Sequence, residues 1–127
     1  MNDLLIPATR QTPEIDFRFS QHRLSMRGEC YPENAAMFFA PLAKTMVEYL
    51  AASGDTPATF VFGLKYMNSA STKMIYNVIG LLNDAASKGR KIVLECEHHP
   101  EDDVAIELAQ DMATDFTWLD VKTLELV

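Results

Sequence analysis

Apolar and polar side chains alternate through Ile15, Asp16, Phe17, Arg18 and Phe19, the two-residue period of a strand with one buried face. Leu24 and Met26 resume the alternation after Ser20-Gln21-His22, so the two pieces predict a hairpin. Arg18, Arg23 and Arg27 fall on its solvent side, where a ligand-facing role stays open. Residues 4–6 predict a short edge strand. Tyr31-Pro32-Glu33-Asn34 then punctuates the chain before a helix, with Pro32 suited to a first turn and Glu33 to the positive end of the helix dipole. Met37, Phe38, Pro41, Leu42, Thr45, Met46, Tyr49 and Leu50 read as one broad helical face. Pro41 lacks an amide donor and is expected to bend this region or to begin a second segment. Ser53-Gly54-Asp55 supplies the stop.

The second half repeats the strand–helix alternation. Residues 59–64 read as a buried central strand. Met74, Ile75, Val78, Ile79, Leu82 and Ala85 form the stripe of a helix that Gly89 ends. Residues 92–94 predict another strand. Asp102 or Asp103 can cap a helix carrying Val104, Ile106, Leu108, Ala109 and Met112, and residues 116–121 read as the final strand. The expected fold is a small α/β sandwich over residues 1–127, one domain, with helices covering mainly one face of a mixed sheet.

The junction between the central strand and its helix holds the most chemistry. Tyr66-Met67-Asn68-Ser69-Ala70-Ser71-Thr72-Lys73-Met74 places an asparagine and three hydroxyls where exposed helix amides can support a phosphorylated hydroxyl or a partner's anion. The plain alternative is a helix cap, with Asn68 bonding the first turn. Lys65 and Lys73 can reach a phosphate there, or serve as ordinary surface lysines. Tyr66 and Met67 can offer a recognition edge, although strand alternation sends one of them toward the core. Tyr31, Glu33, Asn34 and Phe38 form a second candidate interaction group, whose structural role is to shape the start of the first helix.

Composition narrows the classes. With 48% hydrophobic residues the chain can build a core, and its apolar runs are too short to span a membrane. Met1-Asn2-Asp3 begins no secretory signal, so a cytoplasmic location is expected. The net charge is −7, and residues 95–127 hold ten acids against the single Lys122, which disfavours nucleic-acid binding. Cys30 and Cys96 lack metal or redox spacing and are expected to be buried thiols. His98, His99, Glu101, Asp102 and Asp103 suit an acidic helix start better than a metal site, and no HExxH, GxSxG or phosphate-loop pattern is present. No cofactor is expected. A small hydrolase would need a hydroxyl brought together with His22 or His98 and an acid. A structural adaptor without any phosphoswitch is the other alternative.

Ala8-Thr9, Thr12-Pro13, residues 28–34, Phe39 and Pro41-Leu42, together with Tyr66-Met67-Asn68-Ser69, resemble the signature of the SiaC family of bacterial regulatory phosphoproteins across nearly the whole chain. The resemblance implies a STAS-like (anti-sigma-factor-antagonist-like) fold and a non-enzymatic role. It implies that the unphosphorylated protein binds a diguanylate cyclase and promotes cyclic-di-GMP formation, in the signalling that governs biofilms. It further implies a dedicated serine/threonine kinase that blocks this binding and a PP2C-type phosphatase that restores it. The phosphosite carries over to Ser69, where a characterised family member has threonine, a chemically permissible departure; Ser71 and Thr72 are the alternatives.

Overall fold

The computed structural model of the chain describes residues 1–126. Its elements run β1 (Leu4–Ile6), β2 (Glu14–Arg18), a 3-10 turn (Phe19–Gln21), β3 (Arg23–Cys30), α1 (Ala35–Ala52), β4 (Ala58–Met67), α2 (Ser69–Ser87), β5 (Ile92–His98), α3 (Asp103–Asp115) and β6 (Asp120–Glu125). The six strands lie side by side in chain order. β1, β2 and β3 pair antiparallel, while β3 through β6 pair parallel. Each parallel step needs a helical crossover, and crossovers of one hand moving in one direction place all three helices on the same face. The fold is thus mixed α/β, and it agrees with the STAS-like expectation.

The two sheet faces have different chemistry. Ile15, Phe17, Leu24, Met26, Phe60, Phe62, Ile92 and Leu94 join the buried residues of the helices in one core. On the other face Arg27 donates to Glu97 through Nε at 2.8 Å and Nη2 at 3.2 Å, and Arg23 reaches Glu95 at 3.5 Å. Both pairs bridge from β3 to β5 over β4. Gly63 on β4 leaves room for the first pair: a Cβ there would stand 2.7 Å from Glu97 Oε1 and 3.2 Å from Arg27 Cγ. The arginines are therefore solvent-side, as their alternation predicts, and Arg27 is held further up in pKa by the Glu97 hydrogen bonds.

At the sheet end where the parallel strands begin, Arg90 is buried and satisfies its guanidinium on backbone and ring. Nε donates to Thr56 O at 2.7 Å, Nη1 to Gly54 O at 3.0 Å, and Nη2 to the Tyr49 hydroxyl at 3.1 Å. The Tyr49 hydroxyl in turn meets His22 Nδ1 at 2.7 Å, with His22 in the left-handed region at φ 53°. This network ties the end of α1 to the loops before β4 and β5. Nothing in the local sequence around Arg90 announces it, because its acceptors lie about forty residues away.

Several boundaries differ from the sequence reading. α1 is one continuous helix through Pro41, whose missing donor faces solvent beside exposed Met37, while Thr45 Oγ1 donates to Pro41 O at 2.7 Å. Its buried stripe is Ala35, Phe39, Leu42, Met46 and Tyr49, alternating steps of four and three. Met37 and Pro41 therefore fall on the far side rather than on the packed face. Pro32 and Glu33 precede the Asn34 cap and lie outside the first turn. The final strand begins at Asp120, later than the apolar run suggests. Phe116 closes α3 by donating to Met112 O at 2.8 Å, Leu119 N donates to Phe116 O at 3.2 Å, and both side chains are buried in that turn. Two turn residues that face inward read, in sequence, like the start of a strand.

Candidate functional site

All three helices start at the sheet end where the parallel strands finish, and an Asx side chain caps each one. Asn34 Oδ1 accepts from Met37 N at 3.0 Å, Asn68 Oδ1 from Ser71 N at 2.9 Å, and Asp102 Oδ1 from Ala105 N at 3.1 Å. The same end gathers segments that are far apart in sequence. Cys30 pairs with Met67, and Asn68 N donates to Cys30 O at 3.3 Å, so residues 31–34 stand beside residues 66–69. Tyr31 and Tyr66 meet edge to face with centroids 5.5 Å apart. Tyr31 N also donates to Gln11 O at 2.8 Å, and Thr12 N donates to Thr9 Oγ1 at 3.0 Å inside the preceding loop. Gly28, at φ 121°, runs past Pro13, whose Cα would be 3.6 Å from an added Cβ. Residues 8–13, 28–34 and 66–69 are therefore one surface.

The three candidate hydroxyls separate sharply. Ser69 is the first residue of α2 and is exposed. Ser71 is fully buried, and its hydroxyl has no hydrogen-bond partner among the described residues. The Cys30 thiol lies close to it, in a geometry short of a hydrogen bond; burial pushes that thiol's pKa up, and the Ser71 hydroxyl opposes this only in part. The Thr72 hydroxyl is half-buried and donates to Asn68 O at 3.0 Å. Ser69 is therefore open to solvent as it stands. At Ser71 a modifying enzyme would have to open the core. The Ser69 and Ala70 amides carry no acceptor from the rest of the described chain, which leaves the positive end of α2 facing solvent at Ser69.

The supporting residues divide between recognition and packing. Tyr66 is 54% exposed, whereas Met67 is half-buried against the core, which settles which of the two strand-end side chains faces out. Lys73 and Lys65 are exposed, and Lys73 stands one turn beyond Ser69 on the same helix side. Glu33 and Asn34 are exposed at the start of α1, and Phe38 is half-buried against Phe39 at 5.1 Å. Met37, which the sequence reading groups on the broad face of the first helix, is exposed at this same end.

Among the described residues, no hydrogen bond joins a histidine to the hydroxyl cluster. His22 lies at the opposite end of the sheet, bonded to Tyr49 and far from the hydroxyl cluster in the topology. His98 Nδ1 turns to the carbonyl of His99 at 2.9 Å. Among the described residues, no three His, Cys, Asp or Glu side chains converge as a metal-ligand set. Burial pushes the Cys96 thiol up to about 11, a poor starting point for a nucleophile. No helix among the described residues is long and apolar enough to cross a membrane.

Comparison with known proteins covers the chain almost end to end. The profile of the family described as "SiaC family regulatory phosphoprotein" matches residues 6–126. An uncharacterized protein of Pseudomonas aeruginosa (strain UCBPP-PA14) is 34% identical over 115 residues, 91% of this chain and 90% of that protein. The structure of SiaC of Pseudomonas aeruginosa superimposes with a TM-score of 0.90 at 30% identity, covering 99% of this chain and 100% of that one. A chain in the crystal structure of the diguanylate cyclase SiaD in complex with its activator SiaC, from the same organism, gives a TM-score of 0.87 at 30% identity. There the coverage is 96% of this chain and 100% of that one.

Proposed function

Because the chain belongs to the SiaC family of regulatory phosphoproteins, we propose that it is a non-enzymatic, phosphorylation-switched activator of a diguanylate cyclase, with Ser69 as the switch. In its unphosphorylated form it binds the cyclase through the surface around Ser69 and raises cyclic-di-GMP synthesis. A cognate serine/threonine kinase closes this surface, and a PP2C-type phosphatase reopens it, all within the cytoplasm. The cyclase partner is supported by a relative of the same fold that occurs as the activator in a cyclase complex.

The observation that carries the site is the contrast among the hydroxyls: Ser69 is exposed at the first position of α2, Ser71 is sealed, and Thr72 is committed to Asn68 O. Phosphate adds about −1.5 to −2 charge and three acceptor oxygens. The exposed amides at the start of α2, with Lys73 one turn away, can hold that charge in place. The held group then occupies the surface between the Tyr66 edge and the helix, where a partner would need close, desolvated contact. The same phosphate thus satisfies the helix and excludes the partner.

Incubation with the cognate kinase, followed by site-resolved mass spectrometry, tests the assignment. The expected product carries one phosphate on Ser69, and Ser69→Ala abolishes it. Phosphate on Ser71 or Thr72 instead, or unchanged cyclase binding after stoichiometric Ser69 phosphorylation, would overturn the switch.

A further inference from the structure

On the sheet face that the helices leave open, a hollow of about 180 Å³ lies over β2 and β3. Arg18, Gln21, Arg23, Ser25 and Arg27 line it, together with one acid, Asp16. The chain has a net charge of −7 and five arginines, yet three of the five meet here. Arg18 and Arg23 are direct cross-strand partners where the hairpin closes. Like charges placed opposite one another cost stability, and the neighbouring acids relieve them only in part. Asp16 takes Arg18 Nε at 2.9 Å, which leaves both terminal nitrogens of Arg18 without a partner among the described residues. Glu95 stands across β4, outside the hollow, and reaches Arg23 through Nη2 alone at 3.5 Å. Glu97, also outside it, takes Nε and Nη2 of Arg27 and leaves Nη1. Glu14, opposite Arg27 on β2, does not line the hollow. Beneath the arginines the hairpin is firm, with Ile15, Phe17, Leu24 and Met26 in the core and buried Ser25 donating to Asp16 O at 3.4 Å.

We propose that this hollow binds the diphosphate group of a small molecule. Phosphate oxygens accept the paired, planar N–H donors of a guanidinium fork, and Arg18 and Arg23 hold such donors side by side. Arg23 and Arg27 are four residues apart on β3, about 13 Å of strand. One phosphate between Arg18 and Arg23 therefore leaves Arg27 unused, and a second, linked phosphate extends toward it. No aromatic side chain lines the hollow, so no nucleobase stacks there and the phosphates are what is recognised. The site lies at the hairpin end of the open face, at the opposite end of the sheet from Ser69, and does not depend on the switch.

Pyrophosphate is the probe, titrated into the full unphosphorylated chain and followed by heteronuclear NMR and calorimetry. Saturable shifts should appear at residues 16–27, and the affinity should fall as salt is added. Arg18→Gln with Arg23→Gln should weaken binding about tenfold or more. Circular dichroism should stay unchanged, because both side chains are half-exposed. Arg10→Gln with Lys44→Gln removes the same charge at exposed positions elsewhere and should leave the affinity nearly as it was. Asp16→Asn keeps an acceptor for Arg18 Nε and removes the acid from the lining, so binding should tighten several-fold. Charges that served only to hold the hairpin together would not give that sign. ADP should bind within a few-fold of pyrophosphate, since no base is read. Shifts at residues 69–73 in place of 16–27, equal losses in the two double variants, weaker binding by Asp16→Asn, or inorganic phosphate bound as tightly as pyrophosphate would overturn the assignment.

Discussion

Removing the Asn68 cap should cost clearly more stability than removing the Asn34 cap, although both are asparagines bonding the third residue of a helix. Asn34 Oδ1 serves the amide of Met37, which is 74% exposed, so water can replace it after Asn34→Ala. Asn68 Oδ1 serves the amide of Ser71, which is fully buried and already carries an unpartnered hydroxyl. An exposed N-cap is worth about 0.5–1 kcal/mol, near the lower end of measured caps. A buried amide left without an acceptor adds a desolvation cost of about 1–3 kcal/mol. Asn34→Ala should therefore lose about 0.5–1 kcal/mol and Asn68→Ala about 2 kcal/mol. Urea unfolding followed by circular dichroism reads this directly, since a loss of about 2 kcal/mol moves the midpoint by roughly 1 M at an m-value near 2 kcal/mol/M. Asn68→Asp is the control: it keeps the acceptor and adds a charge at the favourable helix end, so it should hold or slightly raise the midpoint. Equal losses for Asn34→Ala and Asn68→Ala, or a loss for Asn68→Asp as large as for Asn68→Ala, would refute the account.

Two further outcomes follow from the open sheet face and the core. Gly63→Ala should cost only about 1 kcal/mol or less, because the Glu97 Oε1 that its Cβ would meet at 2.7 Å ends a flexible side chain and can swing away at the expense of the part-exposed Arg27 pair; combining it with Glu97→Ala should cost less than the sum of the single variants, and strict additivity in the same urea assay would argue against the clash. Burial raises Cys96 to about 11 from 9.0, so the folded state favours the protonated thiol; its contribution is intact below pH 9 and is lost as pH rises toward 11. Stability of the wild type should fall through that window by up to roughly 2–3 kcal/mol more than that of Cys96→Ala, and parallel pH profiles for the two proteins would remove Cys96 as the cause.

The strands and helices were legible because their periods are intact. Ile15, Phe17, Leu24 and Met26 alternate, and Ile75, Val78, Ile79 and Leu82 recur on one helical side, so type and order follow from the residues. The losses came where apolar residues serve something other than a regular face. Met37 is apolar and exposed at the start of α1, while Phe116 and Leu119 are apolar and buried in a turn. Pro41 reads as a break but sits where the helix loses a bond on its wet side. At the candidate site, the hydroxyl cluster is visible in one stretch of sequence, but its ranking is not. Only packing distinguishes Ser69 from Ser71, two residues on, because a step of two along a helix turns one side chain out and the other into the core. The Arg90 network was out of reach for a different reason: it depends on contacts between elements that periodicity within one element cannot report.

The two ends of the sheet are built differently, and the difference bears on the proposed switch. At one end Arg90, Tyr49 and His22 lock loops together through buried hydrogen bonds, and changes there propagate into the core. At the other end the helix starts are capped locally, and the exposed side chains of Ser69, Tyr66 and Met37 carry little of the packing. A phosphate on Ser69 therefore meets no buried neighbour that must move, and the helix amides beside it gain an anion. Phosphorylation should leave global stability unchanged or raise it slightly while lowering partner affinity. A switch that worked by unfolding α2 would do the reverse on the first count, with a lower urea midpoint in the phosphorylated protein. The sign of that midpoint shift separates a surface that is covered from a helix that is melted, and the placement of Ser69 outside the core favours the covered surface.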